Sequence, residues 1–232
     1  MTEQLFRDDS YLQSCEATVT ASGGGAIELD RTVFYPMGGG QPGDTGSIEW
    51  DGGKTTIVDT RYGDGGAIRH IAEEGAVLPA AGTTVTARID WDRRYLHMRM
   101  HTALHLLGSV LPYGVTGGNI SAAKSRLDFD MEDTIDKDAV NAKLQALVAG
   151  NHPVSCRWIS DEELDAQPEL VRTMSVQPPR GAGKVRLLEI ESVDLQPCGG
   201  THLKSTAEVG SVRVGKVEKK GRHNRRVSIV LD

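Results

Sequence analysis

No stretch of this 232-residue chain approaches the roughly 18 consecutive apolar residues that a membrane-spanning helix requires, which excludes that class of protein on sequence grounds. The opening residues, Met1 to Asp9, lack a basic segment followed by an apolar one, so no secretory signal is expected. Only three cysteines occur, Cys15, Cys156 and Cys198, an odd number spread along the chain. They do not resemble a disulfide framework, and a reducing cytoplasm is the expected location. There is no internal repeat and no low-complexity segment. Charged residues at 25% and apolar residues at 38% describe an ordinary globule with room for one large or two modest domains.

A net charge of −6 would argue against nucleic acid if it were evenly spread. It is not. Between residues 213 and 226, seven basic side chains (Arg213, Lys216, Lys219, Lys220, Arg222, Arg225, Arg226) face one acid, Glu218. A basic edge on an acidic body suits a small phosphate-bearing footprint better than the coating of a duplex, and a solvated terminal strand is the alternative.

The pattern divides the chain near residue 90. Before it, short strands are predicted at Glu16–Thr20, Ala26–Leu29, Ser47–Trp50, Thr55–Thr60, Ala67–Ile71 and Thr83–Ile89, separated by glycine-rich turns. Fifteen of the 27 glycines fall in this part, and the spacing predicts a small barrel or sandwich. After Asp90-Trp-Asp92, Leu96, Met100, Ala103, Leu104, Leu107 and Leu111 recur at helical spacing. A second helix is expected over Asp136–Ala149, and Ser160-Asp-Glu-Glu163 has the form of a capping box. Strands at Arg126–Phe129, Val154–Ile159, Val185–Ile190, Ser211–Val217 and Arg226–Leu231 complete an α+β domain. The expected division is residues 1–90, a β-barrel with a glycine-rich motif, and 91–232, an α+β domain.

Chemistry concentrates in His101-Thr-Ala-Leu-His105 and Cys198-Gly-Gly-Thr-His202. On a helix, four residues bring His101 and His105 to one face about a turn apart. With Cys198 and His202 they offer three imidazoles and a thiolate, a donor set suited to zinc. His97 is also four residues from His101, but His97 and His105 lie about 12 Å apart along the axis and cannot share an ion. His97 is then a neighbour of the site, a substrate-side group, or merely exposed. Four protein ligands close a tetrahedron, as structural sites do. A catalytic ion needs an exchangeable position, so either Cys198 or His202 yields or the metal mainly positions substrate. Thr102 stands where the HExxH pattern carries its general base, so the motif supplies no proton acceptor.

Phe34-Tyr-Pro-Met-Gly-Gly-Gly-Gln-Pro-Gly-Asp-Thr-Gly46 is too glycine-dense for an ordinary hairpin. Gly38, Gly39 and Gly40 would let backbone approach a ligand closely, or simply build a turn-rich connector. Asp128 and Asp130 share one face of a predicted strand and are possible proton acceptors or solvated surface.

Taken in order, the segments Phe34–Pro42, Met98–His105, Arg126-Leu-Asp-Phe-Asp130, Cys198–His202 and Asn224-Arg-Arg226 resemble the AlaX-type alanyl-tRNA editing proteins in their two-domain form, relatives of the editing domain of alanyl-tRNA synthetase. The resemblance covers most of the chain from about residue 30. It implies a translation-factor-like barrel followed by a zinc-binding editing domain, with one zinc per chain on His101, His105, Cys198 and His202. It also implies hydrolysis in trans of serine, or glycine, from misacylated tRNA(Ala). Thr102, Thr116 and Thr201 are candidates to meet a serine hydroxyl, Gly38 to Gly40 could line the pocket, and the basic strip would meet acceptor-stem phosphates. Synthetase editing domains often carry a glutamine after the first metal helix, whereas here Asn119 is the nearest amide, which leaves serine against glycine open. No general base is assigned, and neither an obligate protein partner nor a membrane is expected. Two other readings remain: a non-catalytic tRNA-binding module stabilised by zinc, and a zinc hydrolase of a small ester or amide.

Overall fold

The computed structural model describes residues 1–174 and 183–232. Contacts divide the chain into two compact units, Met1–Leu96 and His97–Asp232. In the first, β1 (Glu3–Gln4) precedes β2 (Ser14–Gly23), β3 (Ala26–Leu29), β4 (Arg31–Thr32), β5 (Gly46–Trp50), β6 (Gly53–Tyr62), β7 (Ile68–Ala72) and β8 (Thr84–Ile89). Six of these close a barrel in the order β2-β3-β7-β6-β5-β8, while β1 and β4 form a short parallel pair. Closure leaves no sheet edge in the ring, and alternation sends one face of each strand inward. Ala17, Val19, Ile27, Leu29, Ile48, Ile57, Val85, Ala87 and Ile89 fill the interior with Val33 and Phe34.

His70 is wholly buried in this unit, its Nδ1 donating to Ile27 O (2.9 Å) and its Nε2 meeting the Thr32 hydroxyl (2.8 Å). Burial pushes its pKa down to about 4, so it is a neutral core imidazole.

The glycine-rich segment is built around a tight turn. Gly38 and Gln41 exchange both backbone hydrogen bonds (3.1 and 2.9 Å), with Gly39 (φ 58°) and Gly40 (φ 82°) between them. Positive φ at both central positions is the demand of a type I′ hairpin turn, which is why two glycines stand there. The amides of Tyr35, Met37, Gly38, Gln41 and Asp44 all bond within the unit. Beneath this loop lies Arg94, fully buried. Its guanidinium grips the Asp44 carboxylate through Nε (2.9 and 3.1 Å) and Nη2, and donates to Ser10 O (2.9 Å) and Val33 O (2.7 Å). Asp44 also accepts the Tyr35 amide at 2.6 Å.

Helix α1 (Trp91–Val110) supplies residues to both units. Asp90 caps it, accepting from the Arg93 amide at 3.1 Å. From His97 to Gly108 every residue except Arg99 is buried, so this helix lacks the solvated face its leucine spacing suggests. The second unit continues with β9 (Val115–Asn119), β10 (Ser125–Asp130), α2 (Lys137–Ala149), β11 (Val154–Ile159), α3 (Asp161–Asp165), β12 (Val185–Ile190), β13 (Asp194–Pro197), β14 (Val212–Gly221) and β15 (Asn224–Leu231). Two antiparallel sheets result, β14-β15-β10-β9 and β11-β12-β13. Asp136 caps α2 through the Asp138 and Ala139 amides, and Val140, Leu144 and Val148 are buried. The capping box at Ser160 and Glu163 is formed in both directions, at 3.1 and 2.7 Å. Among the described residues, no helix is long and apolar enough to cross a membrane.

Candidate metal centre

The four residues of the two short motifs converge. One ligand atom from each of His101, His105, Cys198 and His202 lies within 4.8 Å of the others, a group able to hold a metal ion. His101 and His105 come from consecutive turns of the buried stretch of α1, and Cys198 follows directly on β13. Cys198 Sγ lies 3.2 Å from His202 Nε2 and 3.5 Å from His101 Nε2. A tetrahedron built from Zn–N and Zn–S bonds has N–S edges of about 3.5 Å, so the Cys198–His101 separation already fits and the Cys198–His202 pair needs to open by about 0.3 Å. His97, 2% exposed, lies outside the group, so it is neither a ligand here nor a surface residue.

Neighbouring side chains aim the rings. Asp194, buried on β13, bonds His105 Nδ1 at 3.0 Å and pairs with Arg172 at 3.2 Å, and Gln196 donates to Asp194 at 2.6 Å. Because Nδ1 of His105 is held by a carboxylate, Nε2 is the nitrogen left for an ion. The Thr102 hydroxyl lies 3.4 Å from His202 Nδ1 and accepts the Leu203 amide at 3.3 Å. Arg186 donates to the carbonyls of Cys198 and Gly200, both at 2.9 Å, fixing the loop between them.

Electrostatics prepare the donors. Burial opposes a charged Cys198, yet the facing His101 and His202 outweigh it and hold the thiol well below its usual range. His202 is pushed well down, first by burial and then by the charge of His101, and so is neutral. Burial alone would lower His105, but the bonds to Asp194 and Cys198 raise it to about 9. Burial works to raise Asp194, but the bond and charge of His105, with Gln196 and Arg172, together hold it below the usual carboxylate range. The thiolate of Cys198 and the neutral ring of His202 are in the state that metal coordination needs, whereas His105, raised to about 9, gives up a proton when its Nε2 binds an ion.

The remaining candidates are dispersed. Thr201 is buried within the cluster's loop, and Thr102 is buried with its hydroxyl turned to His202. Thr116 and Asn119 lie on β9, where Thr116 donates to Asp128 O (3.1 Å) and accepts from Asn224 (3.0 Å). Gly38 to Gly40 belong to the first unit. The basic strip is the β14–β15 hairpin, and its members are not equivalent. Arg225 is buried, its guanidinium satisfied by the carbonyls of Gly221, Arg222, Asn224 and Glu132. Arg226 grips Asp128 at 2.8 and 2.9 Å with Arg126 alongside, which lowers Asp128 and removes it as a proton acceptor. Among the described residues, Arg213, Lys216, Lys220 and Arg222 pair at the surface with Asp232, Glu218 and Glu132, and Lys219 is exposed. Such pairs are worth about 0–1 kcal/mol and exchange readily for phosphate. Asp194 and Gln196 escaped the sequence reading because β13 is four residues long and ends in proline, and Arg186, on the expected strand β12, because the carbonyls it holds lie 12 and 14 residues away.

Comparison with known proteins agrees with this geometry. Residues 4–93 match the model for class II (A) tRNA synthetases, and residues 185–228 match the threonyl and alanyl tRNA synthetase second additional domain. The alanyl-tRNA editing protein AlaX-M of Methanosarcina mazei is 38% identical over 243 residues, covering 100% of this chain and 97% of that relative. AlaX-M of Saccharolobus solfataricus is 33% identical over 98% of both chains. An alanine–tRNA ligase of Pyrobaculum neutrophilum is 34% identical over 94% of this chain, which corresponds to 25% of the ligase. A barrel followed by a four-donor cluster, matched from end to end by editing proteins, leads to one assignment: the chain belongs to the AlaX family of alanyl-tRNA editing proteins.

Proposed function

We propose that this protein is a zinc-dependent deacylase that hydrolyses the ester joining serine, or glycine, to tRNA(Ala). The observation that carries the reading is the convergence of three imidazoles and one thiolate, with Asp194 orienting His105. Three nitrogens and one sulfur at this spacing suit zinc better than the oxygen-seeking cations. Zinc held there supplies Lewis-acid polarisation of the ester carbonyl. The chain does the rest. Asp194 and Thr102 keep the Nε2 atoms of His105 and His202 on target, and Arg186 immobilises the loop against which the terminal ribose would lie. Arg213, Lys216, Lys219, Lys220 and Arg222 remain for acceptor-stem phosphates, whereas Arg225 and Arg226 serve the hairpin itself.

The biological need is physical. A synthetase pocket sized for alanine rejects an added hydroxyl or a missing methyl only weakly, so a second hydrolytic site restores accuracy.

A deacylation panel of Ser-, Gly- and Ala-tRNA(Ala), run with and without chelator, tests the proposal. Ser-tRNA(Ala) should be hydrolysed, Ala-tRNA(Ala) spared, and the activity lost on chelation. Hydrolysis of none of the three, with unfolding on chelation, would instead assign the metal a structural task. Hydrolysis of small esters indifferent to tRNA would place the protein among general hydrolases.

A further inference from the structure

Strand register shows which side chains share the metal-site face of the three-stranded sheet. Trp158 of β11 pairs with Arg186 of β12, Cys156 with Leu188, Leu188 with Gln196 and Ile190 with Asp194. Directly opposed residues point to one side, so Trp158, Cys156, Arg186, Gln196 and Asp194 share a face, the one that presents Asp194 to His105. The other face packs Ile159, Val185 and Leu187 against Leu164 and Leu170. Trp158 therefore points away from that core, and it is 43% exposed. It stands about one strand spacing, 4.8 Å, from Arg186, whose guanidinium holds the carbonyls of Cys198 and Gly200.

We infer that Trp158 is the stacking platform for the terminal nucleobase of the tRNA, an inference that rests on the editing reading above. The ester of an aminoacyl-tRNA sits on the ribose of the last nucleotide, so its base must lie within one nucleoside of the cluster. A flat indole two strands from the Cys198 loop, on the outer strand of the sheet, is placed to receive it. Stacking tolerates any base and needs no hydrogen-bond readout, which fits an invariant chain end. No other large aromatic on this sheet faces the cluster.

The test uses the full-length protein and an acceptor-stem minihelix of tRNA(Ala) charged with serine. Trp158→Ala should raise KM about tenfold, within the range for one lost base–aromatic stack, while kcat and zinc content stay unchanged. Trp158→Phe should recover most of the loss. Removing only the terminal base from the minihelix should weaken binding to the wild type by a similar factor and leave Trp158→Ala unaffected. An unchanged KM in Trp158→Ala, or equal sensitivity of both proteins to the missing base, would overturn the inference. So would a wild-type dimer that Trp158→Ala dissociates, because a second copy would then occupy the face. Fluorescence anisotropy of the uncharged minihelix reads the same stack without hydrolysis. If the wild type hydrolyses nothing but loses affinity for the baseless end while Trp158→Ala does not, the platform stands and the editing reading falls.

Discussion

Replacing His101 and Cys198 together with alanine should lower the rate of Ser-tRNA(Ala) deacylation at least about a thousandfold, since a Lewis-acid metal contributes several kcal/mol to such a reaction. The chain should stay folded, because the sheets and helices of its second unit are closed by their own hydrogen bonds and apolar contacts. Circular dichroism and a urea transition check that condition. Asp194→Asn belongs to the same series, since it keeps the shape of the side chain but replaces the charge that faces His105 Nδ1 at 3.0 Å. It should weaken zinc about 10–100-fold, the usual cost of losing a carboxylate behind a ligating imidazole, as read by competition with a chromophoric chelator. Wild-type turnover in the double variant would remove the cluster from the mechanism. Loss of folding with no prior activity would make the metal structural.

Arg94→Ala should destabilise the protein by about 3–5 kcal/mol, because it leaves the Asp44 carboxylate buried without its cation. Asp44 is 1% exposed and Arg94 is 0% exposed, so water cannot compensate the carboxylate. The carbonyls of Ser10 and Val33 lose their donor as well. Asp44→Ala combined with Arg94→Ala should be less damaging than the sum of the two single changes, since neither charge is then stranded. Urea denaturation of the four proteins measures the coupling. A loss below about 1 kcal/mol in Arg94→Ala would place this pair with ordinary surface ion pairs. The expected functional consequence is confined to the loop from Tyr35 to Asp44, which Arg94 and Asp44 anchor at its end.

Local pattern made much of this molecule legible. Alternation through Val85, Ala87 and Ile89 marks β8, and those three side chains fill the barrel. Asp136 and the Ser160–Glu163 pair are local signals because a cap bonds amides two or three residues away, and both form as spelled. The paired histidine and cysteine motifs needed no structure to be noticed, since each is complete within five residues.

What stayed hidden depends on distant partners. β9 contains Gly117 and Gly118, residues poor in strand propensity, and becomes a strand only by pairing with β10. Asp194 meets His105 across 89 positions, and nothing in its own neighbourhood announces that contact. Arg225 and Arg226 read as phosphate contacts or solvated charges, yet one caps carbonyls and the other grips Asp128 across 98 positions. The glycine-rich loop was legible as unusual but not in kind. Its turn needs Gly39 and Gly40 for positive φ, and Arg94, 50 residues from Asp44 in the sequence, anchors it.

X-ray absorption at the zinc edge, on protein loaded with the metal, addresses the cluster most directly. One zinc per chain is expected, with about three nitrogen scatterers near 2.0–2.1 Å and one sulfur near 2.3 Å, the sulfur shell vanishing in Cys198→Ala. A spectrum with no sulfur shell in the wild type, or the same spectrum after Cys198→Ala, would contradict the assignment.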